Sequence, residues 1–183
     1  MIQTHEEVIS QTKSWIEKVV IGFNFCPFAA KPFKEDKVFY KVEPQSGLNS
    51  SLQTLVRECI RLEEDISIET TFIIFPDNYF EFEEYLDLVD ISEQLLKKEG
   101  YEGIFQVASF HPRYLFSGSD ENDPANYTNK SPFPMLHLLR EVSLEAAIKK
   151  HPDVNSIPEK NIAKANELGL EYLKGLKFGN EII

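Results

Sequence analysis

The stretch SIETTFIIFP, residues 67–76, predicts the centre of the fold. All four residues from Phe72 to Phe75 are apolar, so a strand here would bury both of its faces. A strand of that kind lies inside a sheet that helices cover, as in small α/β domains. We therefore expect residues 67–76 to form a central strand and the other elements to pack around it.

Two further stretches have the composition of strands. KVFYKVEP, residues 37–44, alternates so that Val38, Tyr40 and Val42 share one face, and EGIFQVASF, residues 102–110, is nearly continuous in apolar residues. A fourth strand could lie in YLFSG, residues 114–118. Because strands and helices alternate along the chain, we predict a single domain over residues 1–183. It would be of the α/β or α+β class, with a three- to four-stranded sheet covered by helices.

Apolar residues at helical spacing predict five helices. The first begins with the capping-box pattern of Thr4 and Glu7. The last begins with the same pattern at Ser156 and Glu159, with Pro158 in its first turn. The fourth covers MLHLLREVSLEAAIKKH. The predicted helices lie near residues 4–20, 52–60, 78–99, 135–151 and 156–176.

The charge balance argues against sequence-independent binding of nucleic acid. The 183 residues hold 19 Lys and Arg against 30 Asp and Glu, and the resulting net charge of −11 repels phosphate backbones. The first residues do not have the pattern of a secretory signal, and the apolar run FIIF is too short to cross a bilayer. Two cysteines make no disulfide framework. We expect a cytoplasmic protein that binds neither nucleic acid nor membrane, and the sequence leaves its oligomeric state open.

One long aperiodic stretch, residues 109–141, is where we expect a functional site. Its loop, residues 111–131, follows a predicted buried strand, and ligands of α/β proteins bind at the carboxyl ends of strands. Loops of this length in compact domains are usually functional or disordered. Tyr114, Phe116 and Tyr127 are apolar anchors that argue against disorder. The alternative is a structural Ω-loop, tied to its own backbone by Asn and Asp side chains.

Three residues of this stretch make a candidate metal site. On a continuous helix, His137 and Glu141 are four residues apart and would project from one face. His111, at the end of the third predicted strand, would add a second imidazole. Two histidines and a carboxylate suit a divalent metal, zinc or non-haem iron. The alternative is that Glu141 only pairs with Arg140 or another neighbour.

A second candidate is an anion site at the start of the predicted fourth helix. The free N–H groups and the dipole of a helix N-terminus attract phosphates and carboxylates. The side chains that could join such a site are Asn24, Arg113, Asn126, Asn129, Lys130, Ser131 and Arg140. The alternative is that Ser131 or Asn129 only caps the helix, which is the commoner fate of such residues.

Cys26, in NFCPF, is a candidate nucleophile. A catalytic thiol needs a lowered pKa, which His111 or His137 could supply if the fold brought them together. The alternative is a small buried apolar residue, the usual state of a free cysteine. Cys59 lies inside a core stripe, and we assign it no chemistry.

Three segments together resemble a known family. They are GFNFCPFA at residues 22–29, ASFHPRYLFSG at 108–118 and DPANYTNKSPFPMLHLLRE at 123–141. In this order they resemble the motifs of an uncharacterised bacterial family, domain of unknown function 1415, along nearly the whole chain. Phe23 and Phe25 stand where leucines are usual, Lys130 stands for Arg and Phe133 for Tyr. Lysine in place of arginine would weaken a bidentate contact to an anion. The resemblance implies no activity, but its motifs contain the candidate residues named above.

Two classes of function follow. The first is a small cytoplasmic enzyme or binder of an anionic small molecule, with a site between residues 24–26 and 109–141; a metal-dependent hydrolase is a variant of it. This class needs His111, His137 and Cys26 to converge. The second is a non-catalytic protein that docks a partner through the loop. That class needs its aromatic anchors exposed, namely Phe116, Tyr127 and Phe133.

Overall fold

The central sheet has four strands in the order β1-β2-β4-β3. The computed structural model describes residues 3–44, 47–151, 153–178 and 181–182. β1 and β2 are parallel, whereas β4 lies between β2 and β3 and is antiparallel to both. The four strands are β1 (Val38–Val42), β2 (Thr70–Ile74), β3 (Phe105–Phe110) and β4 (Met135–Arg140), and a separate short pair is formed by β5 (Lys177–Phe178) and β6 (Glu181–Ile182).

Seven α-helices pack around these strands in the part of the chain that the structure describes. They are α1 (His5–Trp15), α2 (Ala30–Lys34), α3 (Leu48–Glu64), α4 (Phe82–Lys98), α5 (Glu141–Lys150), α6 (Ile157–Leu168) and α7 (Leu170–Lys174). A π-helix, Ile16–Ile21, continues α1, and 3-10 turns occupy Pro124–Thr128 and Val154–Ser156. Within the described ranges, no helix is both long and apolar enough to cross a membrane.

Two apolar clusters cover the two faces of the sheet. On the α3/α4 face, side chains of α3 and α4 such as Leu55 and Leu88 pack against Leu136 and Leu138 of β4. On the α1 face, Trp15 and its neighbours pack against Phe72, Ile74 and Met135. Because successive residues of a strand point to opposite faces, His137 lies on the α1 face.

The central strand predicted from residues 67–76 is confirmed. All five residues of β2 are buried, and the strand is paired on both sides. The capping box of α1 is also present, since the Glu7 N–H donates to Thr4 Oγ1 and the Thr4 N–H donates to the Glu7 carboxylate. The α/β or α+β fold class and its four-stranded sheet are confirmed, and the strands and helices form one domain.

The predicted fourth helix is wrong over its first six residues. Residues 135–140 form strand β4, and only the part from Glu141 onward is helical. Met, Leu and Arg are good helix formers, but this preference is weak. A strand at residues 135–140 pairs its backbone with β2 on one side and β3 on the other, and this pairing overrides the local preference. Residues 114–118, the predicted fourth strand, are not a strand: residues 114–116 have no regular secondary structure, and Ser117 and Gly118 form a turn.

The last predicted helix is interrupted. Gly169 has φ of +80°, a conformation that ends α6 and starts α7. The capping box expected between Ser156 and Glu159 does not form, because the Ser156 hydroxyl donates to Asp153 instead.

Tyr85→Phe is expected to destabilise the protein by about 1–3 kcal/mol, because it leaves a buried backbone donor without its acceptor. The Tyr85 side chain is completely buried, and its hydroxyl accepts from the Phe110 N–H and donates to the Met135 carbonyl oxygen, so that it joins α4 to β3 and β4. Urea denaturation of both proteins measures the change.

Tyr101→Phe is the matched control, because within the described part of the chain that hydroxyl bonds to the exposed Glu63 carboxylate and to nothing else. Its loss should stay within about 0.5 kcal/mol. Equal losses in the two variants would contradict the structural contribution assigned to the Tyr85 hydroxyl.

Candidate functional site

His111 lies at the carboxyl end of β3, as predicted, but both ring nitrogens are occupied. Nε2 donates to the Tyr79 carbonyl oxygen at 2.8 Å, and Nδ1 accepts from the Arg113 N–H at 3.0 Å. The side chain is completely buried against Phe82 and Tyr85 on the α3/α4 side. Burial lowers the pKa of His111 below its ordinary value. A neutral imidazole with two internal partners holds the backbone in place and has no lone pair left for a substrate proton.

Asparagine side chains hold the loop after His111 together through hydrogen bonds. Buried Asn126 accepts from the Phe116 N–H and the Ser119 hydroxyl through Oδ1, and donates to the Asp120 carbonyl oxygen through Nδ2. Asn129 donates from Nδ2 to the Ser109 carbonyl oxygen. These side chains satisfy backbone groups that the loop leaves unpaired.

The two arginines of the predicted anion site have internal partners. Arg113 makes a bidentate ion pair with Glu81 on the surface. Arg140 donates to the carbonyl oxygens of Leu62, Asp65 and Ile68, at the end of α3 and the entry to β2. Both guanidinium groups therefore position loops, and a ligand would have to compete with these contacts.

The start of the predicted helix is not a helix N-terminus. Ser131 is buried, and its hydroxyl donates to the Phe133 carbonyl oxygen. Lys130 places its ammonium 4.4 Å from the centroid of the Tyr127 ring, and burial lowers the pKa of Lys130. Tyr127 and Phe133 are buried in the core, so two of the three anchors expected for a docking surface are not exposed.

Cys26 packs against the apolar cluster of the α1 face. Burial raises the pKa of its thiol, the opposite of what a nucleophile needs. Asn24 is exposed and has φ of +58°, a left-handed conformation that Asn tolerates. The structure does not bring the three predicted catalytic residues together, because His111 lies on the α3/α4 side of the sheet and Cys26 and His137 on the α1 side.

The predicted metal site is not formed. His137 is in a strand and Glu141 begins a helix, so the two do not share a helix face. His111 is on the other side of the sheet, and its nitrogens are occupied. Among the described residues, no group of three or more His, Cys, Asp or Glu side chains is placed to hold a metal ion.

Of the three predicted catalytic residues, His137 is the one with a ring nitrogen that no described residue uses. Thr70 Oγ1 donates its one hydrogen to the Leu138 carbonyl oxygen at 2.6 Å, so it must accept from His137 Nε2 at 2.6 Å. The ring therefore carries its proton on Nε2, and Nδ1 has a free lone pair. No described residue donates to Nδ1, and His137 as a whole is only partly buried.

Three rings line up across β1, β2 and β4 on the α1 face. Tyr40 and Phe72 are stacked with centroids 6.0 Å apart, and Phe72 and His137 are stacked at 3.8 Å, each pair with an interplanar angle of 9°. Trp15 packs edge-on against Phe72. We call Tyr40, Phe72 and His137 the aromatic row. Its two ends, Tyr40 and His137, are partly exposed.

The sequence did not single out Tyr40, Phe72 or Thr70 as site residues. The two-residue period of a β-strand could have identified them. It places Tyr40 on one face of its strand, and it places Thr70 and Phe72 together on one face of the next strand. Reading residues 135–140 with the same period would have placed His137 on that face.

Cys26 is expected to react slowly with iodoacetamide in the folded protein at pH 7.5, roughly tenfold or more below its rate in urea, because a raised pKa leaves little thiolate. Peptide mapping by mass spectrometry separates it from Cys59, whose thiol pKa is raised to about 12 by burial. Equal rates for Cys26 in folded and unfolded protein would restore it as a nucleophile.

His137 should make stability fall with acid. Burial lowers the pKa of His137 to about 3, so the unfolded chain takes up the proton first as the pH falls below the ordinary value of 6.5. Between pH 7 and pH 5, the free energy of unfolding should fall by about 2 kcal/mol more in the wild type than in His137→Phe, which keeps a ring and does not titrate. Urea denaturation at both pH values measures this difference, and parallel pH profiles would contradict it.

Comparison with known proteins identifies the family of the chain. No curated protein and no solved structure matches the chain significantly. One family model matches residues 7–175, and it spans all four strands of the central sheet and the aromatic row. The chain therefore belongs to the family described as Protein of unknown function (DUF1415).

Proposed function

We propose that the protein binds a small molecule, with a planar apolar body and a hydrogen-bond donor, on the aromatic row. The observation that carries this proposal is the Nδ1 lone pair of His137, which no described residue uses, at the partly exposed end of the aromatic row. Binding pockets combine an apolar, aromatic lining with a few placed polar groups, and this surface has that composition.

The open part of the sheet supports the proposal. Beside His137 on the α1 face lie Ala108, Phe110 and Leu139, and all three are only partly buried. Helix α5, which follows β4, contains no fully buried residue. An apolar surface next to a polar acceptor offers a flat ligand both contact area and orientation.

Binding fits the chemistry of the side chains better than catalysis does. A histidine whose pKa is about 3 stays neutral at physiological pH and is a poor general base there. His111 has no free nitrogen, and the Cys26 thiol has a raised pKa. Of the first class of function, an enzyme or a binder, these properties favour the binder, and the bacterial, cytoplasmic setting stays part of the proposal.

Two probes of the same shape test the proposal. Indole can donate its N–H to His137 Nδ1, whereas benzofuran has no donor. We expect indole to bind about fivefold more tightly than benzofuran, because one hydrogen bond contributes about 1 kcal/mol. NMR titration of the protein with each compound gives both dissociation constants and the shift of the Nδ1 resonance.

Two variants control the test. His137→Phe keeps the stacked ring and should abolish the preference for indole, while Ala108→Leu should weaken both probes by filling the space beside His137. Ala163→Leu adds the same bulk on an exposed position of α6 and should change neither. Failure of both probes to bind the folded wild type, or an unchanged preference in His137→Phe, would overturn the proposal.

A further inference from the structure

A group of apolar side chains lies at the surface where the loop after β3 meets the start of α4. The Phe82 ring contacts the Tyr114 ring with centroids 5.4 Å apart, and the Tyr114 ring contacts that of Phe116 at 5.0 Å. Phe80 is 59% exposed and Phe116 is 38% exposed, and Leu86, one helical turn after Phe82, is exposed as well. We call Phe80, Phe82, Leu86, Tyr114 and Phe116 the surface patch.

Arg113 joins the two segments that carry the surface patch. Its guanidinium donates to the Phe80 carbonyl oxygen and makes the bidentate ion pair with Glu81. Its backbone N–H donates to Nδ1 of the buried His111. The rings therefore stand on a base with defined hydrogen bonds, and anchors that are already held in place lose little conformational entropy when a partner binds.

The rings of the surface patch touch one another and leave no gap for a small cation. Tyr114 and Phe116 meet edge to face, and Phe82 and Tyr114 are tilted by 58°. At centroid distances of 5.0 and 5.4 Å such rings are in direct contact, so an ammonium group does not fit between them. Adjacent exposed aromatic side chains are instead typical of the anchors at protein–protein interfaces.

The margin of the surface patch is acidic. Residues 77–87 carry five acidic side chains and no lysine or arginine, and residues 111–123 carry three acidic side chains and one arginine, Arg113. Glu83 and Glu84 are exposed in the first turn of α4. Because Arg113 is already held in an ion pair on the surface, it leaves the remaining acidic side chains uncompensated. The margin therefore repels negative groups and attracts positive ones.

This charge restricts the class of partner. In a two-fold contact, a second copy of the chain would bring the same acidic side chains opposite one another. Nucleic acids and anionic membranes carry phosphates, which this margin also repels. A basic protein segment has the complementary charge, and its apolar side chains can pack on the exposed rings.

We propose that the surface patch docks a basic segment of another protein, with apolar side chains on its rings and lysine or arginine side chains against its acidic margin. Of the three anchors expected for a docking surface, Phe116 belongs to the patch, whereas Tyr127 and Phe133 are buried in the core. The inference does not rest on the proposed function, because Phe82 packs with His111 on the α3/α4 side and the aromatic row lies on the α1 face.

A random peptide library displayed on phage, selected against the folded full-length protein in 0.15 M NaCl, provides the probe. We expect the selected peptides to contain more lysine and arginine than aspartate and glutamate, with apolar residues between them. Fluorescence anisotropy of a labelled peptide then gives its dissociation constant for the wild type and for each variant. Phe80→Ser and Phe116→Ser should each weaken binding about fivefold or more, the scale of one interface anchor.

Ile66→Ser is the matched control for the loss of an exposed apolar side chain. Ile66 is 89% exposed and precedes the start of β2, whereas Phe80 follows the end of that strand, so the two lie at opposite ends of β2. The control variant should bind the peptide as the wild type does. Circular dichroism shows that the three variants remain folded, as expected for substitutions at exposed positions.

Charge reversal tests the acidic margin separately from the rings. Glu83→Lys and Glu121→Lys should each weaken the peptide about threefold, the scale of one exposed ion pair. Glu17→Lys makes the same change on the π-helix after α1, on the other side of the sheet, and should have little effect because salt screens distant charges.

The outcomes that overturn the inference are distinct. If the library yields no binder, or if its peptides bind Phe80→Ser and Phe116→Ser as tightly as the wild type, the patch is not a docking surface. An equal loss in Ile66→Ser leads to the same conclusion. Peptides that depend on Phe80 and Phe116 but carry no net positive charge, or that bind Glu83→Lys unchanged, show that the basic class of partner is wrong.

Discussion

Strand β4 lies between β2 and β3 and fixes the arrangement of both apolar clusters. Its backbone is paired on both sides, so its register fixes the facing direction of every side chain from Met135 to Arg140. That register sets His137 beside Phe72 and sends Leu136 and Leu138 into the opposite cluster. A shift of one residue would exchange the two faces and remove both the core contacts and the aromatic row.

The position of β4 also explains the long aperiodic stretch. β3 and β4 are adjacent and antiparallel, so β3 ends and β4 begins at the same end of the strand pair. Residues 111–134 form the long connection between them. Backbone groups inside such a connection need partners, and Asn126, Asn129 and His111 supply them. The polar residues concentrated in this loop therefore form a hydrogen-bond network that supports its backbone, although the same composition is typical of a binding site.

The location of the site was predictable in part. His137 was selected as a member of a helix, with Glu141 as its companion, and this pairing is wrong because the segment is a strand. The one-face assignment of Tyr40 was made from sequence alone, and it places the ring on the surface that also carries Phe72 and His137.

The central strand, the apolar stripes of the helices and the family of the chain are readable from the amino-acid sequence, because periodicity and motif order are local properties. The strand at residues 135–140 is visible only in the folded chain, since it depends on backbone partners in β2 and β3 that are distant along the sequence. The tertiary structure also decided which candidate side chains are consumed by internal hydrogen bonds and which nitrogen remains available. Burial and pairing are properties of neighbours in space, and local sequence does not contain them.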